Sequence, residues 1–252
     1  MLRSRIIPCL LVKDGGLVKS VKFKDYKYVG DPLNAVKIFN EKEVDEIVVL
    51  DIDATAQRRE PNYRLIENLA RECRMPLCYG GGIKTVEQAK KIFALGVEKI
   101  ALSSAAIANI EIVNDLATQV GSQSVAVILD VKKRSLGRGY EIYVNNAQSG
   151  TGLTPVEFCQ KLQAHGVGEI VLNSIDRDGT MEGYDLDLIK AVHGAIKVPL
   201  TVLGGAGSLS DIKDMIRQFG IIGVAAGSIF VFKGPYKAVL ISYPTRPKRG
   251  LQ

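Results

Sequence analysis

The sequence lacks the residues on which several protein classes depend. It contains no tryptophan, two histidines and four cysteines in 252 residues, and aromatic residues make up 6% of it. The cysteines form no CxxC pair and have no neighbouring histidine, so we predict free thiols, a reducing compartment, and neither a metal nor a cofactor. They are Cys9, Cys73, Cys78 and Cys159.

Long hydrophobic runs are also missing. No apolar run approaches the roughly 18 residues that a membrane span needs. The short run after Arg5 ends at Lys13, without a small-residue cleavage site. We interpret this run as a first strand, not a signal peptide, and predict a cytoplasmic protein that does not act at a membrane.

Positive charge is in excess, with a formal net charge of +6. Lysines and arginines are spread along the chain and no stacking motif accompanies them, so the pattern does not favour a nucleic-acid partner. Attraction of a small, multiply phosphorylated substrate explains the same excess.

An internal repeat spans about half of the chain. The segment LLVK at 10–13 lines up with LDVK at 129–132, and later landmarks recur at a similar offset. Such a period indicates a duplicated unit. The halves differ at one position of possible chemical importance, because Leu11 stands where the other half has Asp130. The other matches are Asp51 with Asp176, Gly80 with Gly204, and Ser104 with Ser228.

Eight short apolar runs alternate with segments of helical periodicity. Eight βα units in about 250 residues predict one (β/α)8 barrel domain over 1–252, built from two half-barrels, rather than a doubly wound open sheet. The strands are predicted at 6–12, 46–51, 76–79, 100–103, 125–130, 169–174, 199–203 and 223–226. Helices are predicted at 33–42, 86–95, 155–165 and 209–218.

Glycine-rich turns follow two of the predicted strands in matching positions. Each turn opens a helix, where glycines let a ligand approach and free N–H groups suit a phosphate. A tight connection alone would also explain one such turn, but two matched copies predict a ligand with a phosphate at both ends. The predicted phosphate-binding residues are Gly81, Gly82, Ser103, Ser104, Gly204, Gly205, Gly207, Gly227 and Ser228.

Carboxylates at the strand ends are candidates for chemistry. Asp130 is predicted at the barrel mouth as a general acid or base, or else as a structural cap of the next loop. Two carboxylates could divide the acid and base roles, but Leu11 removes the partner. Asp51 and Asp176 either orient a substrate hydroxyl or bind loop amides, and Lys19 either closes over an anionic ligand or is a solvated loop lysine.

Four charged residues are predicted at the opposite end of the barrel, at or just before the strand starts. Ion pairs that stabilise the floor are one interpretation, since features of that face usually concern stability. The other is a gate that admits a small neutral molecule from a partner docked below. The residues are Arg5, Glu46, Lys99 and Glu169.

These motifs together resemble the cyclase subunit family of imidazole glycerol phosphate synthase over nearly the whole chain. The segments that carry the resemblance are RIIPCL, GDP at 30–32, GGGI, GSQ at 121–123, DRDGTMEGYD at 176–185, GGAG and AGSIF. The resemblance implies a barrel that forms a heterodimer with a glutaminase subunit. It also implies that ammonia passes along the barrel axis to a bisphosphate substrate, and that Arg5, Glu46, Lys99 and Glu169 form the gate.

Two departures from the family pattern bear on function. The family's paired catalytic aspartates fall at Leu11 and Asp130, and its active-site asparagine falls at Ser103, while Lys19 matches its mobile-loop lysine. The pattern looks like the paralogue from surface-polysaccharide clusters, which supplies ammonia to a sugar amidotransferase that makes an acetamidino group. The alternatives are an active cyclase of histidine biosynthesis and a non-catalytic scaffold that activates the glutaminase.

Overall fold

The computed structural model describes residues 3–135 and 137–245, and eight of its strands close into a parallel barrel. The barrel strands are β1, β4, β5, β6, β7, β10, β11 and β12, each paired with the next and the last with the first. The predicted (β/α)8 fold is confirmed. In chain order the strands are β1 (Arg5–Lys13), β2 (Gly16–Val21), β3 (Lys24–Gly30), β4 (Ile47–Asp51), β5 (Leu77–Gly80), β6 (Lys99–Leu102), β7 (Val125–Lys133), β8 (Tyr140–Val144), β9 (Ser149–Gly150), β10 (Glu169–Ser174), β11 (Leu200–Leu203), β12 (Gly223–Ala226), β13 (Phe232–Lys233) and β14 (Ala238–Val239).

Helices surround the barrel, and their starts carry side-chain caps that the sequence specifies. Thr85 and Gln88 form a reciprocal capping box at α3, and Ser208 and Asp211 form one at α8, which satisfies amides that have no partner within the helix. In order they are α1 (Pro32–Glu41), α2 (Tyr63–Glu72), α3 (Val86–Ala94), α4 (Ser104–Ala108), α5 (Glu111–Val120), α6 (Pro155–Ala164), α7 (Leu186–His193), α8 (Leu209–Phe219) and α9 (Ser228–Val231), with a 3₁₀ turn at Ser122–Ser124. None of the helices in the described ranges has the length and apolarity needed to cross a membrane.

Two antiparallel hairpins rise from the barrel at matching places in the two halves. Strand β1 extends into a hairpin with β2 and β3, and β7 extends into one with β8 and β9. Lys19, which we predicted in a loop, therefore lies on strand β2. In β2 the four residues from Leu17 to Ser20 are all buried, whereas most of β3 is exposed.

The barrel interior is an apolar layer, separate from the larger core between strands and helices. Near-continuous apolar strands are expected where a parallel sheet is covered on both faces. All four cysteines are free; Cys73 is half-buried and the others are buried. The interior layer consists of Ile7, Cys9, Val48, Cys78, Ala101, Ile128, Val171, Leu203 and Ala225.

Hydrogen-bond register gives the half-repeat its true alignment. Leu11 pairs with Leu50 in the first half, and Asp130 pairs with Asn173 in the second. Further along, the amide of Asp14 donates to Asp53 and that of Lys133 donates to Asp176. Asp176 is thus the counterpart of Asp53, and our match of Asp176 with Asp51 is wrong. The match of Leu11 with Asp130 is confirmed.

Candidate active site at the barrel mouth

One pocket occupies the carboxyl ends of the barrel strands, where enzymes of this fold carry their chemistry. Most of the predicted site residues line it, and they come from both halves of the chain. Asp176 and Gly207 do not line it. The predicted residues that do are Leu11, Lys19, Asp51, Gly81, Gly82, Ser103, Ser104, Asp130, Gly204, Gly205, Gly227 and Ser228.

The two glycine turns hold the pocket wall close to neighbouring backbone. A side chain at Gly82 would lie 2.9 Å from the carbonyl oxygen of Arg59, and one at Gly205 would lie 2.2 Å from that of Gly183. Both glycines also have positive φ, which other residues rarely adopt. Gly207 differs, because its N–H donates to Asp211 at 2.8 Å and is not available to a phosphate.

Lys19 lies on β2 of the first hairpin, and its side chain lies against one of the predicted phosphate loops. It is 6% exposed, and its ammonium donates to the carbonyl oxygen of Cys9. A side chain at Gly227 would lie 2.4 Å from its Nζ. Burial lowers the pKa of Lys19, while Cys9 and Asp178 raise it. A buried cation at this place suits a bound anion better than a solvated lysine would.

The first hairpin reaches across the mouth to the second half of the barrel. The amide of Lys22 donates to the carbonyl of Asp178 at 2.9 Å, and the hydroxyl of Ser20 donates to its carboxylate at 3.3 Å. Asp178 lines the pocket, and burial raises its pKa. Sequence reasoning missed Asp178 because it followed the repeat to Asp176, which instead accepts a backbone amide from Lys133.

Asp130 stands at the pocket wall with an ionisation suited to proton transfer. Burial raises the pKa of Asp130 to about 7; the amide of Asn173 lowers it and the carboxylate of Asp178 raises it. The Nδ2 atom of Asn173 donates to Asp130 at 2.8 Å, and its buried Oδ1 has no partner among the described residues. A carboxyl group that titrates near neutrality can act as acid or base.

The first half of the mouth has no equivalent of this pair. Leu11 and Leu50 occupy the register positions of Asp130 and Asn173, and both leucines line the pocket. Two apolar side chains therefore replace a carboxylate and its amide partner. Neither leucine can transfer a proton.

Asp51 serves the loop that follows its own strand. Its carboxylate accepts the amides of Asp53 and Ala54 at 3.2 and 3.1 Å and pairs with Arg59 at 3.3 Å. It lies at the pocket wall, yet these partners fit the loop-binding interpretation. Within the two described ranges, no group of three metal-ligating side chains comes together.

The floor charges form a closed ring across the barrel axis. Arg5 contacts Glu46 and, at 2.8 Å, Glu169; Lys99 contacts each glutamate at 2.7 Å. Thr201, which the sequence did not reveal, donates its hydroxyl to Glu169. Burial alone would raise the pKa of Glu169, but Lys99 and Arg5 outweigh it and hold that pKa at about 2.

The Glu169 ion pairs should be visible in the acid unfolding of the protein. The pKa of Glu169 lies below its ordinary value of 4.5. The ionised carboxylate therefore makes its full contribution to the free energy of unfolding above pH 4.5. That contribution is lost as the pH falls towards about 2. We expect the free energy of unfolding, measured in urea, to depend less on pH in that window for Glu169→Gln. Exposed Glu41→Gln is the control, and equal pH dependence in both variants would contradict the assignment.

Asn173 should set the ionisation of Asp130. Asn173→Leu removes the amide and introduces the residue type of Leu50, its counterpart in the first half, and we expect the pKa of Asp130 to rise above about 7. Titration of the Asp130 carboxyl carbon by nuclear magnetic resonance measures this. Asn109→Leu, at a residue outside the pocket wall, is the control. A pKa that falls or stays constant in Asn173→Leu would show that the amide does not stabilise the carboxylate.

A family model described as "Histidine biosynthesis protein" matches residues 5–237. The chain belongs to the HisF-type imidazole glycerol phosphate synthase cyclase subunit family. It is 57% identical over 98% of its length to a Leptospira interrogans protein named "Putative imidazole glycerol phosphate synthase subunit HisF", 97% of which is covered. Two further relatives are named "Imidazole glycerol phosphate synthase subunit HisF". The chain is 42% identical to the one from Lactococcus lactis subsp. cremoris, over 86% of this chain and 84% of that protein. It is 40% identical to the one from Alkaliphilus metalliredigens, over 91% of both.

Family membership accounts for the barrel and for the position of the pocket. It does not by itself decide the chemistry of this HisF-type chain. That chemistry depends on the residues of the mouth, which include Leu11 and Leu50. The remaining question is whether the pocket turns over a substrate or serves another enzyme.

Proposed function

We propose that the chain is the barrel subunit of a glutamine-dependent amidotransferase system, without cyclase turnover of its own. It accepts ammonia from a glutaminase subunit with which it forms a heterodimer, and it holds a phosphorylated small molecule at the mouth. The observation that carries the proposal is the register match of Leu11 with Asp130. Leu11 in place of an aspartate removes one member of the matched pair of carboxylates that could divide the acid and base roles.

The interior of the barrel suits a small neutral molecule. Above the charged ring lies the layer that includes Ile7, Val48, Ala101 and Val171, without a charged member. Loss of hydration there would cost an ammonium ion far more free energy than it would cost neutral ammonia. In this proposal ammonia enters at the ring, and the apolar layer favours the unprotonated form.

For the acceptor we propose a separate sugar amidotransferase of polysaccharide biosynthesis. In such an enzyme a nucleoside triphosphate activates the carbonyl oxygen of an acetamido group, ammonia adds to the carbonyl carbon, and the oxygen leaves with the transferred phosphoryl or nucleotidyl group, which yields an acetamidino group. Three features support this proposal: glycine-rich loops like those of the family, a buried Lys19, and a mouth without the matched carboxylate pair. A barrel with these features retains ligand binding and lacks the family's own proton-transfer pair.

One observation favours a second candidate, an active cyclase of histidine biosynthesis. Asp178 lines the same pocket as Asp130 and raises its pKa, so a second carboxylate does face the site. In this reading Asp178 takes the role that Leu11 cannot perform. The two candidates differ in whether the chain alone, given ammonia, forms imidazole glycerol phosphate.

Isotope dilution tests ammonia delivery. The chain, a glutaminase and a sugar amidotransferase are combined with glutamine labelled with ¹⁵N in its amide and excess unlabelled ammonium salt. We expect the acetamidino product to carry the label above the bulk level, because ammonia passes inside the barrel. Product with the isotope ratio of the bulk would reject delivery, and stimulation of the glutaminase without any product would favour the scaffold alternative.

A further inference from the structure

The two glutamates of the floor ring are held unequally. Glu46 accepts from Arg5 and Lys99, and within residues 3–135 and 137–245 it has no third donor. Glu169 accepts from the same two cations and also from the hydroxyl of Thr201. Both glutamates are buried to a similar degree, at 4% and 5% exposure. Two things therefore distinguish Glu169 from Glu46: the hydroxyl of Thr201, and a second hydrogen bond from Arg5, whose Nη1 and Nη2 both donate to Glu169, at 3.3 and 2.8 Å.

The half-repeat explains why only one glutamate has the hydroxyl donor. In the first half, Val48 pairs with Cys78, and Cys78 with Lys99. In the second half the same register positions are Val171, Thr201 and Gly223. Thr201 thus replaces a thiol, which is a weak donor.

Gly223 stands where the first half has Lys99, and it leaves the space that the hydroxyl occupies. A side chain at Gly223 would lie 1.8 Å from the Thr201 hydroxyl oxygen and 3.3 Å from Nη2 of Arg5. The glycine is therefore required for the three-donor arrangement around Glu169.

We propose that the ring opens at Glu46, with Thr201 as the positioning residue that keeps Glu169 fixed. Arg5 and Lys99 stay bound to Glu169 and release Glu46, so the passage forms along β4 and β5. A hydrogen bond to a charged group favours the held side by roughly tenfold to a hundredfold. The physiological meaning of this opening rests on the proposed function, but the opening itself requires no partner.

Two valines provide matched reporters for the two sides of the ring. Val48 and Val171 occupy equivalent register positions on β4 and β10, above Glu46 and Glu169, and each is 5% exposed. Each is replaced by cysteine in a separate full-length chain, and the rate of modification by methyl methanethiosulfonate is measured. Peptide mass mapping separates the new thiol from native Cys9 and Cys78. The reagent can also enter through the mouth, and that part of the rate is the part that does not change in the Glu46→Gln and Glu169→Gln variants. It is subtracted from the total rate.

We expect the thiol of Val48→Cys to react roughly tenfold or more faster than that of Val171→Cys. Adding Thr201→Val should lower the ratio, because only the second hydrogen bond from Arg5 then favours Glu169, and Thr201→Ser, which keeps the hydroxyl, should preserve it. Equal rates in the parent, faster reaction of Val171→Cys, or no floor-dependent reaction at all would overturn the proposal. The parent ratio decides even if Thr201→Val fails to fold. Because no glutaminase is present, these results do not depend on whether ammonia delivery is correct.

Discussion

Replacing Leu11 with aspartate is expected to raise ammonia-dependent turnover of the family's bisphosphate substrate by about 10²–10⁴-fold over the parent chain. Leu11 lines the pocket and holds the register position of Asp130 in the other half-barrel. A carboxylate there restores a second proton-transfer group to a mouth whose first group already titrates near neutrality. The measurement is the rate of imidazole glycerol phosphate formation with ammonium salt.

Leu50 offers a matched control for this substitution. It is the register partner of Leu11, lies on the adjacent strand and lines the same pocket, but its counterpart in the second half is Asn173. Leu50→Asp adds the same charge to the same mouth and should give no comparable gain. Equal gains in both variants would mean that added charge, not its position, is responsible. No gain in Leu11→Asp would mean that other parts of the site have also lost cyclase competence.

Replacing Lys99 with alanine is expected to lower the free energy of unfolding by about 3–5 kcal/mol, because a buried charge pair loses one partner. Lys99 bridges Glu46 and Glu169 at 2.7 Å each, and its side chain is 16% exposed. In its absence two buried carboxylates share Arg5 alone. Urea unfolding followed by circular dichroism measures the change.

Exposed Lys90, which donates to Gln119 at 2.8 Å, is the control for this variant. Lys90→Ala should alter stability by roughly 0.5 kcal/mol or less. A similarly small loss in Lys99→Ala would show that the ring contributes little to folding. In the isotope-dilution assay, Lys99→Ala should also change the labelled fraction of the product. An unchanged fraction would reject the gate.

Apolar runs were sufficient to place the barrel, since each of the eight predicted strands lies within a few residues of an observed one. Both faces of these strands are covered, and continuous hydrophobicity is the signal of that environment. The hairpin β2–β3 was missed because β3 is largely exposed. Such a segment has the composition of a loop and is defined by its pairing with β2.

Spacing along the chain predicted the repeat but not its alignment at every landmark. The chain from Leu11 to Leu50 is shorter than the chain from Asp130 to Asn173, so a constant offset cannot hold on both sides of the hairpins. Hydrogen bonding sets the register and aligns Asp176 with Asp53, whereas Asp178, which the repeat did not indicate, lines the pocket. Thr201 was overlooked for a different reason: a single hydroxyl in an apolar strand carries no charge pattern.

Turnover by the purified chain tests the central claim most directly. The family's bisphosphate substrate is supplied with ammonium salt at alkaline pH and without a glutaminase, and imidazole glycerol phosphate is measured. The account predicts no turnover, with binding of the phosphorylated ligand intact. Formation of the product at rates ordinary for an enzyme, about 1–10³ per second, would contradict it and identify the chain as a working cyclase.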